Sequence, residues 1–185
     1  MRAKTSLTMA LNTSSEADFT KTEDLRLVLA PYELFVTAFW HENRLIRLNI
    51  SQAPTAEQEY KGDSHLADAL TGLLTGQIHN LEFPIPYTAR GSRFSVEVWT
   101  TLLSLPYGHT LSYKELAQIL QTSPRAIGQA LKANPLPIII PCHRVLGSHG
   151  ELTGFSCGLE IKKILLAIED RQRRAHENSH YIGHP

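Results

Sequence analysis

The chain is organised around the segment Ile138-Ile139-Ile140-Pro141-Cys142-His143-Arg144-Val145. Consecutive isoleucines are typical of a buried β-strand, and the extended geometry favoured before Pro141 would carry that strand up to Cys142. An imidazole and a guanidinium follow the thiol directly, and neighbouring positive charge favours thiolate, the reactive form of cysteine. An inert cysteine in an apolar strand is the alternative, but His143 and Arg144 are ill suited to a plain core. The segment therefore predicts a reactive Cys142.

The composition is that of a globular protein with one domain or two small ones. The chain has 185 residues, 42% of them hydrophobic, and no apolar run approaches the length of a membrane span. The opening residues 1–4 resemble the start of a secretion signal, but residues 5–8 lack its apolar core, and an organellar transit peptide stays an alternative. The two cysteines, Cys142 and Cys157, do not make a disulfide framework. We therefore expect reduced thiols in an intracellular protein without membrane attachment.

Charge is divided unevenly between the two halves of the chain. Residues 1–89 contain seven Lys/Arg and eleven Asp/Glu, which gives a net charge of −4. Residues 90–185 contain eleven Lys/Arg and seven Asp/Glu, which gives +4. Two modules are expected from this asymmetry, with the second one facing any polyanionic partner such as nucleic acid.

Changes of pattern divide the chain into four parts. Residues 1–23 are rich in Ser and Thr without periodicity, and we expect a disordered extension. A supporting module follows over residues 24–88, and a proline-rich stretch that ends at Gly91 marks its boundary. Residues 92–172 form the second module, and residues 173–185 are predicted to be a flexible tail.

The first module is predicted to be a small antiparallel sheet covered by one helix. Three strand-like runs precede the helix: residues 25–29, 34–40 and 44–50. The last two runs form a hairpin in which Asn43 takes the left-handed conformation. Ser64 caps a helix with leucines along one face, and Gly76 ends it. The histidines of this module are far apart without a cysteine among them, so solvated side chains are expected and no metal site.

Two consecutive capped helices make a helix-turn-helix pattern in the second module. Ser112 and Glu115 form a capping box, and Ser123 caps the next helix. That second helix has small residues at positions i, i+4 and i+7: Ala126, Ala130 and Ala133. Such a stripe allows close approach either to another helix or to a nucleic-acid groove, and Arg125 and Lys132 near the helix ends favour the groove.

A final helix is predicted from Leu159 into the 170s, with Glu169 at the edge of its buried face. A carboxylate at that edge can reach inward to an imidazole. A solvated acid beside Asp170 is the alternative that the pattern alone leaves open.

These motifs together resemble the O6-alkylguanine-DNA alkyltransferase family, whose members move an alkyl group from guanine onto their own cysteine. The resemblance is strong over residues 93–170 and is limited to architecture over residues 25–90. The matching segments are Ser112-Tyr113, Arg125-Ala126-Ile127-Gly128, Lys132-Ala133-Asn134-Pro135, Pro141-Cys142-His143-Arg144-Val145, Gly154-Phe155-Ser156 and Leu165-Leu166-Ala167-Ile168-Glu169. An α/β (α+β) fold of two domains is implied, with an N-terminal antiparallel sheet under a helix. The C-terminal domain is expected to be mostly helical, to resemble a winged helix-turn-helix and to carry the active-site cysteine.

The resemblance implies a stoichiometric, irreversible transfer of the alkyl group onto Cys142. His143 would take the thiol proton through a bound water, and Glu169 would orient and stabilise that imidazole. Tyr113 would give a proton to the leaving guanine, although a core anchor is its alternative role. Asn134 would bond to backbone near the thiol and so join the two halves of the site. No cofactor and no metal are implied.

The resemblance also implies a partner, duplex DNA with O6-alkylguanine, bound through the minor groove with the damaged base flipped out. Arg125 would fill the space that the base leaves. Further DNA contacts are implied for Ser112, Lys114, Ala126, Ala130, Lys132 and Ala133. The pocket for the base would comprise Tyr113, Val145, Phe155 and Ser156. We expect a monomer in the cytoplasm, associated with the nucleoid, or in the nucleus of a eukaryote; activity on O4-alkylthymine stays open.

Three departures from the family pattern are visible. Phe155 stands where many members have tyrosine, so stacking is kept while a hydroxyl is lost. Cys157 stands where a small residue is common, and a plain spacer, a regulatory disulfide or a second acceptor are its possible roles. The first module lacks the zinc ligands that some relatives have.

Other classes of protein explain the pattern less well. A cysteine hydrolase would use Cys–His–acid chemistry but would not need Arg125 or a helix-turn-helix. A transcription regulator would read the major groove with polar side chains, whereas this helix offers alanines. A protein that recognises the lesion without accepting the group is the main alternative, but such proteins lack the acceptor cysteine that is present here.

Overall fold

The computed structural model describes residues 8–11, 20–54, 64–79 and 87–181. In chain order its helices and strands are β1 (Thr8–Leu11), β2 (Lys21–Leu29), β3 (Tyr32–His41), β4 (Arg44–Ser51), α1 (His65–Leu74), β5 (Thr88–Gly91), α2 (Arg93–Leu103), β6 (Leu111–Ser112), α3 (Tyr113–Ile119), α4 (Pro124–Lys132), a 3-10 turn (Cys142–Arg144), β7 (Val145–Leu146) and α5 (Leu159–Tyr181). No helix within these ranges is long and apolar enough to span a membrane.

The first module has a three-stranded antiparallel sheet in the order β2-β3-β4. Burial alternates along β3, where every second residue, Leu34, Val36 and Ala38, is buried on one face of the sheet. The β3–β4 hairpin turns through Glu42 and Asn43, whose φ angles are 45° and 60°. The predicted sheet, hairpin and left-handed Asn43 are therefore confirmed.

Helix α1 covers this sheet as the sequence predicts. The Ser64 side chain accepts a hydrogen bond from the Ala67 N–H at 3.0 Å, so it caps the helix. The leucines of α1 are buried in the same core as the sheet: Leu66, Leu70, Leu73 and Leu74. Gly76 follows the helix end with φ 73°, a conformation that glycine adopts easily.

Part of the N-terminal segment is ordered, contrary to the prediction of disorder over residues 1–23. Thr8–Leu11 pairs in parallel with Thr88–Gly91, and β2 already begins at Lys21. A strand of only four residues is too short to show a clear period of two, which explains the wrong prediction at these positions. Residues 1–7 and 12–19 lie outside the described part of the chain, as do Pro84 and Pro86 of the expected linker.

The predicted tail over residues 173–185 is also wrong in its first part, because α5 continues to Tyr181. Arg173 and Arg174 each pair with Asp170, at 2.9 Å and 2.8 Å, one turn earlier on the helix. Pairs at i,i+3 and i,i+4 support helical structure. Residues 182–185 lie outside the described residues.

The helix-turn-helix is present, and its caps form as predicted. The Glu115 N–H donates to Ser112 Oγ at 3.1 Å, and the Ser112 N–H donates to the Glu115 carboxylate at 2.7 Å. Ser123 accepts from the Ala126 N–H at 3.2 Å and so begins α4. Trp99 of α2 is fully buried beneath this unit.

The segment Ile138–Ile140 is buried but is not a strand, which corrects the first prediction. Ile138 has φ 77°, and Ile140 donates its N–H to the Leu136 carbonyl at 2.9 Å, so the chain turns here. Pro137 and Pro141 flank the run and offer no N–H to a strand ladder. Cys142 therefore lies on a tight 3-10 turn rather than at the end of a strand.

The two modules contact each other through backbone and side chains. The Leu48 N–H of β4 donates to the Pro135 carbonyl at 2.9 Å, and the Tyr107 hydroxyl donates to the Leu74 carbonyl at 2.6 Å. Buried side chains from both modules belong to one core. The mixed α/β fold is confirmed, while the division into modules at residues 24–88 and 92–172 stays a prediction.

Candidate active site

Cys142 lies at a cavity of about 440 Å³ and is only 3% exposed. The other lining residues come from α3, α4 and the loop before α5: Tyr113, Gly128, Leu131, Lys132, Thr153, Gly154, Phe155 and Ser156. Burial raises the pKa of the Cys142 thiol to about 12, although a hydrogen bond from Asn134 opposes this shift. The thiol is therefore protonated at neutral pH, and the prediction that its neighbours favour thiolate is wrong for the resting site.

Asn134 joins the end of α4 to the cysteine turn. Its Nδ2 donates to Cys142 Sγ and to the Ile140 carbonyl, both at 3.0 Å. Its Oδ1 accepts from the Leu136 N–H at 2.9 Å. The buried amide thus satisfies two backbone groups and fixes the thiol, and the structure shows the backbone bond that the family resemblance implied.

His143 and Glu169 form a buried hydrogen-bonded pair, with His143 Nε2 3.0 Å from Glu169 Oε1. Burial by itself would raise the pKa of Glu169, but His143 and Arg144 lower it to about 2. An ionised carboxylate only accepts hydrogen bonds, so Nε2 carries a proton, and in the neutral imidazole this leaves the lone pair on Nδ1. Nδ1 is buried without a hydrogen-bond partner among the described residues. Glu169 is therefore an inward-facing acid, and the alternative of a solvated acid is wrong.

Arg144 is directed to Glu169 and not to the thiol. Its Nε donates to both carboxylate oxygens at 3.1 Å and 2.9 Å, and its Nη2 donates to Oε1 at 2.8 Å. The guanidinium also lies over the Tyr107 ring, 5.6 Å from its centroid. Because Glu169 neutralises this charge, Arg144 does not supply the positive field that the sequence suggested for Cys142.

Lys162 is a buried cation of the site that the sequence analysis missed. Its Nζ donates to the Val145 carbonyl at 2.6 Å and to the Thr153 carbonyl at 2.7 Å, and it lies 5.9 Å from the Tyr113 ring centroid. Burial lowers the pKa of its ammonium to about 8, while Cys142 opposes the shift. The available signal was its position seven residues before Glu169, two turns earlier on the same edge of α5.

Tyr113 begins α3 and forms one wall of the cavity. Its hydroxyl donates to the Gly154 carbonyl at 3.1 Å, with the Thr153 carbonyl further away at 3.4 Å. Burial, together with Cys142, raises the pKa of the phenol. Tyr113 is therefore neutral and holds a proton at the cavity, while its half-buried ring also packs against the core.

The loop before α5 provides the remaining predicted pocket residues. Phe155 is half-buried and Ser156 is exposed, and both line the cavity. Val145 is fully buried, and its carbonyl accepts the bond from Lys162. Cys157 is half-buried with its Sγ 3.9 Å from Ser156 Oγ.

The candidate DNA-contacting residues differ in exposure. Those exposed are Lys114, Arg125, Lys132 and Ala133, while Ser112 and Ala126 are half-buried. Ala130 is only 2% exposed, and its carbonyl accepts the Trp99 indole N–H at 2.9 Å. This burial leaves little of the Ala130 side chain accessible for the predicted groove contact, which stays a prediction. The other predicted DNA contacts stay predictions.

Comparisons with known proteins agree with this geometry. Residues 93–171 match the model of the DNA-binding domain of 6-O-methylguanine DNA methyltransferase. A methylated-DNA–protein-cysteine methyltransferase of Archaeoglobus fulgidus is 37% identical over 143 residues, which cover 74% of this chain and 93% of that protein. The chain belongs to this methyltransferase family. The family-model match includes all the site residues from Ser112 to Glu169 described above.

Two further members of the family differ in how much of their length is matched. The inducible methylated-DNA–protein-cysteine methyltransferase of Bacillus subtilis is 41% identical over 104 residues, which are 55% of this chain but only 57% of that protein. The crystal structure of the Mycobacterium tuberculosis OGT in complex with DNA is 31% identical, with a TM-score of 0.62. It covers 82% of this chain and 93% of that chain, so the likeness extends into the first module.

Proposed function

We propose that the chain repairs DNA by accepting the alkyl group of O6-alkylguanine onto Cys142 in a single, irreversible turnover. The observation that carries this proposal is the buried thiol at a cavity of about 440 Å³, next in sequence to the His143–Glu169 pair. A cavity of this size suits a small ligand such as a nucleobase. The names of the relatives, methylated-DNA–protein-cysteine methyltransferases, support the same reaction.

The proton of the thiol leaves first in the proposed reaction. A bound water passes it from Cys142 to Nδ1 of His143, the nitrogen that holds the lone pair. Glu169 stabilises the imidazolium that results, because its carboxylate is ionised and already bonded to Nε2. This route is needed because the buried thiol does not ionise unaided at neutral pH.

Alkyl transfer then makes one bond and breaks one. The thiolate attacks the alkyl carbon, the carbon–O6 bond breaks, and its electron pair stays on the guanine. Tyr113 gives its proton to the guanine, which makes the base a better leaving group. The imidazolium returns a proton to the phenolate through solvent, so the products are neutral guanine and a thioether on Cys142. A thioether has no easy return path, which makes the protein a stoichiometric acceptor.

In the proposed complex the helix-turn-helix binds the minor groove of the duplex as a monomer. The damaged base must leave the stack to reach Cys142. Arg125, exposed on the first turn of α4, occupies the vacated position, and Lys114 and Lys132 contact phosphates. Readout in the minor groove is nearly independent of sequence, which suits a lesion that occurs anywhere. Val145 and Ser156 meet the flipped base through backbone groups, and Phe155 covers one face.

The test is the intact mass of the protein after mixing with a duplex that carries one O6-methylguanine, followed by peptide mapping. We expect one added methyl on Cys142, retained in Cys157→Ala and absent from Cys142→Ala, which should still bind DNA. Transfer by Cys142→Ala would contradict the assignment, and an adduct on Cys157 would move the acceptor. Tight binding without an adduct would favour a protein that only recognises the lesion. A duplex with O4-methylthymine tests the second substrate.

A further inference from the structure

Tyr107 touches both modules behind the active site. It lies in the turn after α2, and its hydroxyl donates to the carbonyl of Leu74, the last residue of α1, at 2.6 Å. The ring of Tyr107 contacts the Arg144 guanidinium, whose central carbon lies 5.6 Å from the ring centroid. One side chain therefore connects the end of α1 to the Arg144–Glu169 pair that neighbours His143.

Gly76, which follows α1, packs directly against the Tyr107 ring. A Cβ at Gly76 would lie 2.9 Å from Cε1 of Tyr107, closer than side-chain carbons approach each other. Gly76 also has φ 73°, so a larger residue there would be strained as well as crowded. The glycine lets the helix end and the aromatic ring lie against each other.

The ring is well placed to hold the Arg144 guanidinium in position. Apart from its bonds to Glu169, Arg144 makes a long hydrogen bond of 3.5 Å from Nη1 to the Leu105 carbonyl. Its side chain is 2% exposed, so solvent gives it little alternative support. A guanidinium over an aromatic face is attracted by the ring, more so when it is desolvated.

We propose that Tyr107 is a positioning residue: its ring holds Arg144 on Glu169 and so limits how strongly Glu169 stabilises a proton on His143. Its hydroxyl ties this arrangement to the end of α1, and thereby to the first module. The inference rests on the proposed function, because it concerns the base of that reaction.

The direction of the effect follows from the groups around His143. Glu169 from α5 is bonded to His143, Arg144 from the same turn as His143 is paired with Glu169, and the Tyr107 phenol faces these two charged partners. Lys162 of α5 donates to backbone carbonyls instead. If Arg144 is loosened, more of the Glu169 charge acts on the imidazole and stabilises its protonated form. His143 then keeps its proton up to a higher pH and cannot act as a base there. The acid limb of the rate profile, where the rate falls as the pH is lowered, therefore moves to higher pH.

The experiment measures the acid limb in four variants and in the parent protein. Tyr107→Leu removes the ring, Tyr107→Phe keeps the ring without the hydroxyl, and Gly76→Ala crowds the ring from the first module. Tyr32→Phe is the matched control, because it removes the hydroxyl of another half-buried tyrosine, on β3. Two rates are followed against pH: methyl transfer from a duplex with O6-methylguanine, and alkylation of Cys142 by iodoacetamide, which also requires loss of the thiol proton.

We expect Tyr107→Leu and Gly76→Ala to move the acid limb upward by about half a pH unit or more, with unchanged DNA affinity. Tyr107→Phe should keep the parent limb and lose only thermal stability, and Tyr32→Phe should keep both. A uniform loss of rate at every pH, or a fall in melting temperature alone, would overturn the proposal. If Tyr107→Leu does not fold, an unshifted limb in Gly76→Ala overturns it equally.

The two readouts separate this inference from the proposed function. A parent protein that is alkylated by iodoacetamide but takes no methyl from DNA refutes the repair reaction. In that event the iodoacetamide limb alone decides the role of Tyr107, since it does not depend on DNA.

Discussion

Replacing Glu169 by glutamine tests the charge arrangement of the site through stability. Glu169→Gln keeps the shape of the side chain but removes the charge that pairs with Arg144 and His143. Arg144 is 2% exposed, so the variant leaves a buried cation without its partner. Breaking a buried ion pair in this way destabilises a protein by about 3–5 kcal/mol, and we expect that loss at neutral pH.

The pH dependence gives this prediction a second, independent magnitude. The pKa of Glu169 falls from 4.5 to about 2 in the folded protein. At about 1.36 kcal/mol per unit, this shift corresponds to roughly 3 kcal/mol of folding free energy. Because the folded pKa is the lower one, the contribution is fully present above about pH 4.5 and is lost as the pH falls toward 2. The gap between the parent and Glu169→Gln should therefore narrow across this window.

Urea unfolding at a series of pH values measures both effects. Asp170→Asn is the control, because Asp170 lies next in sequence and pairs with Arg173 and Arg174 at the surface. Surface pairs contribute about 0–1 kcal/mol, so the control should follow the parent closely. A gap between the parent and Glu169→Gln that stays constant from neutral pH to about pH 3 would refute the reasoning, since it would mean that the lost contribution does not titrate with Glu169.

Three further predictions concern the thiol and the DNA. Asn134→Ala removes the hydrogen bond that lowers the pKa of Cys142, so iodoacetamide should alkylate Cys142 more slowly at neutral pH; unchanged alkylation would show that the bond does not act on the thiol. Lys162→Met removes a positive charge that also lowers the pKa of Cys142, so the alkylation profile should move to higher pH, whereas Lys162→Arg should retain most of the parent profile. Arg125→Ala should reduce methyl transfer from duplex DNA by about tenfold or more while sparing transfer from the free modified base and leaving groove binding largely intact; equal losses from the two substrates would exclude a role in base flipping.

The elements that formed as predicted depend on residues close together in the chain. The capping box joins Ser112 and Glu115, and the hairpin turn needs only the left-handed conformation at Asn43. Such features are stabilised within a few residues, so their sequence signals are sufficient. The same holds for the buried faces of the helices, which the period of apolar residues reveals.

The wrong predictions involve competition between local preference and distant structure. Isoleucine favours strands, yet Pro137 and Pro141 deny the Ile138–Ile140 run the N–H groups that a ladder requires at its ends. The prolines were visible in the sequence, and their restriction outweighs the preference of the isoleucines. The strand at Thr8–Leu11 was missed for another reason. Its partner Thr88–Gly91 is far away in the chain, and no local pattern predicts that the two segments pair.

The sequence predicted the main residues of the site but not how its charged side chains are paired. Cys142, His143 and Glu169 were identified from motif order and helix face, and the structure shows the bond between His143 and Glu169. The partners of the two cations could not be predicted, because Arg144 binds Glu169 and Lys162 binds the Thr153 carbonyl, and neither partner is a close neighbour in sequence. The spacing of Lys162 from Glu169 indicates its helix face, but its two carbonyl partners have no sequence signature, since carbonyls occur at every residue.

The charges of the folded site bear on the selectivity of the proposed transfer. Glu169 is already matched by Arg144, while Lys162 places a positive charge beside Tyr113 and the Val145 carbonyl. In the proposed reaction the two groups that become anionic are the Cys142 thiol and the Tyr113 phenol. Both are held neutral at rest, because burial raises the pKa of each. A thiol that is neutral until a base removes its proton reacts slowly with stray electrophiles, as the thiolate is the nucleophile. In the proposed single-turnover reaction such a thiol is an advantage, because Cys142 is kept for the substrate that fills the cavity.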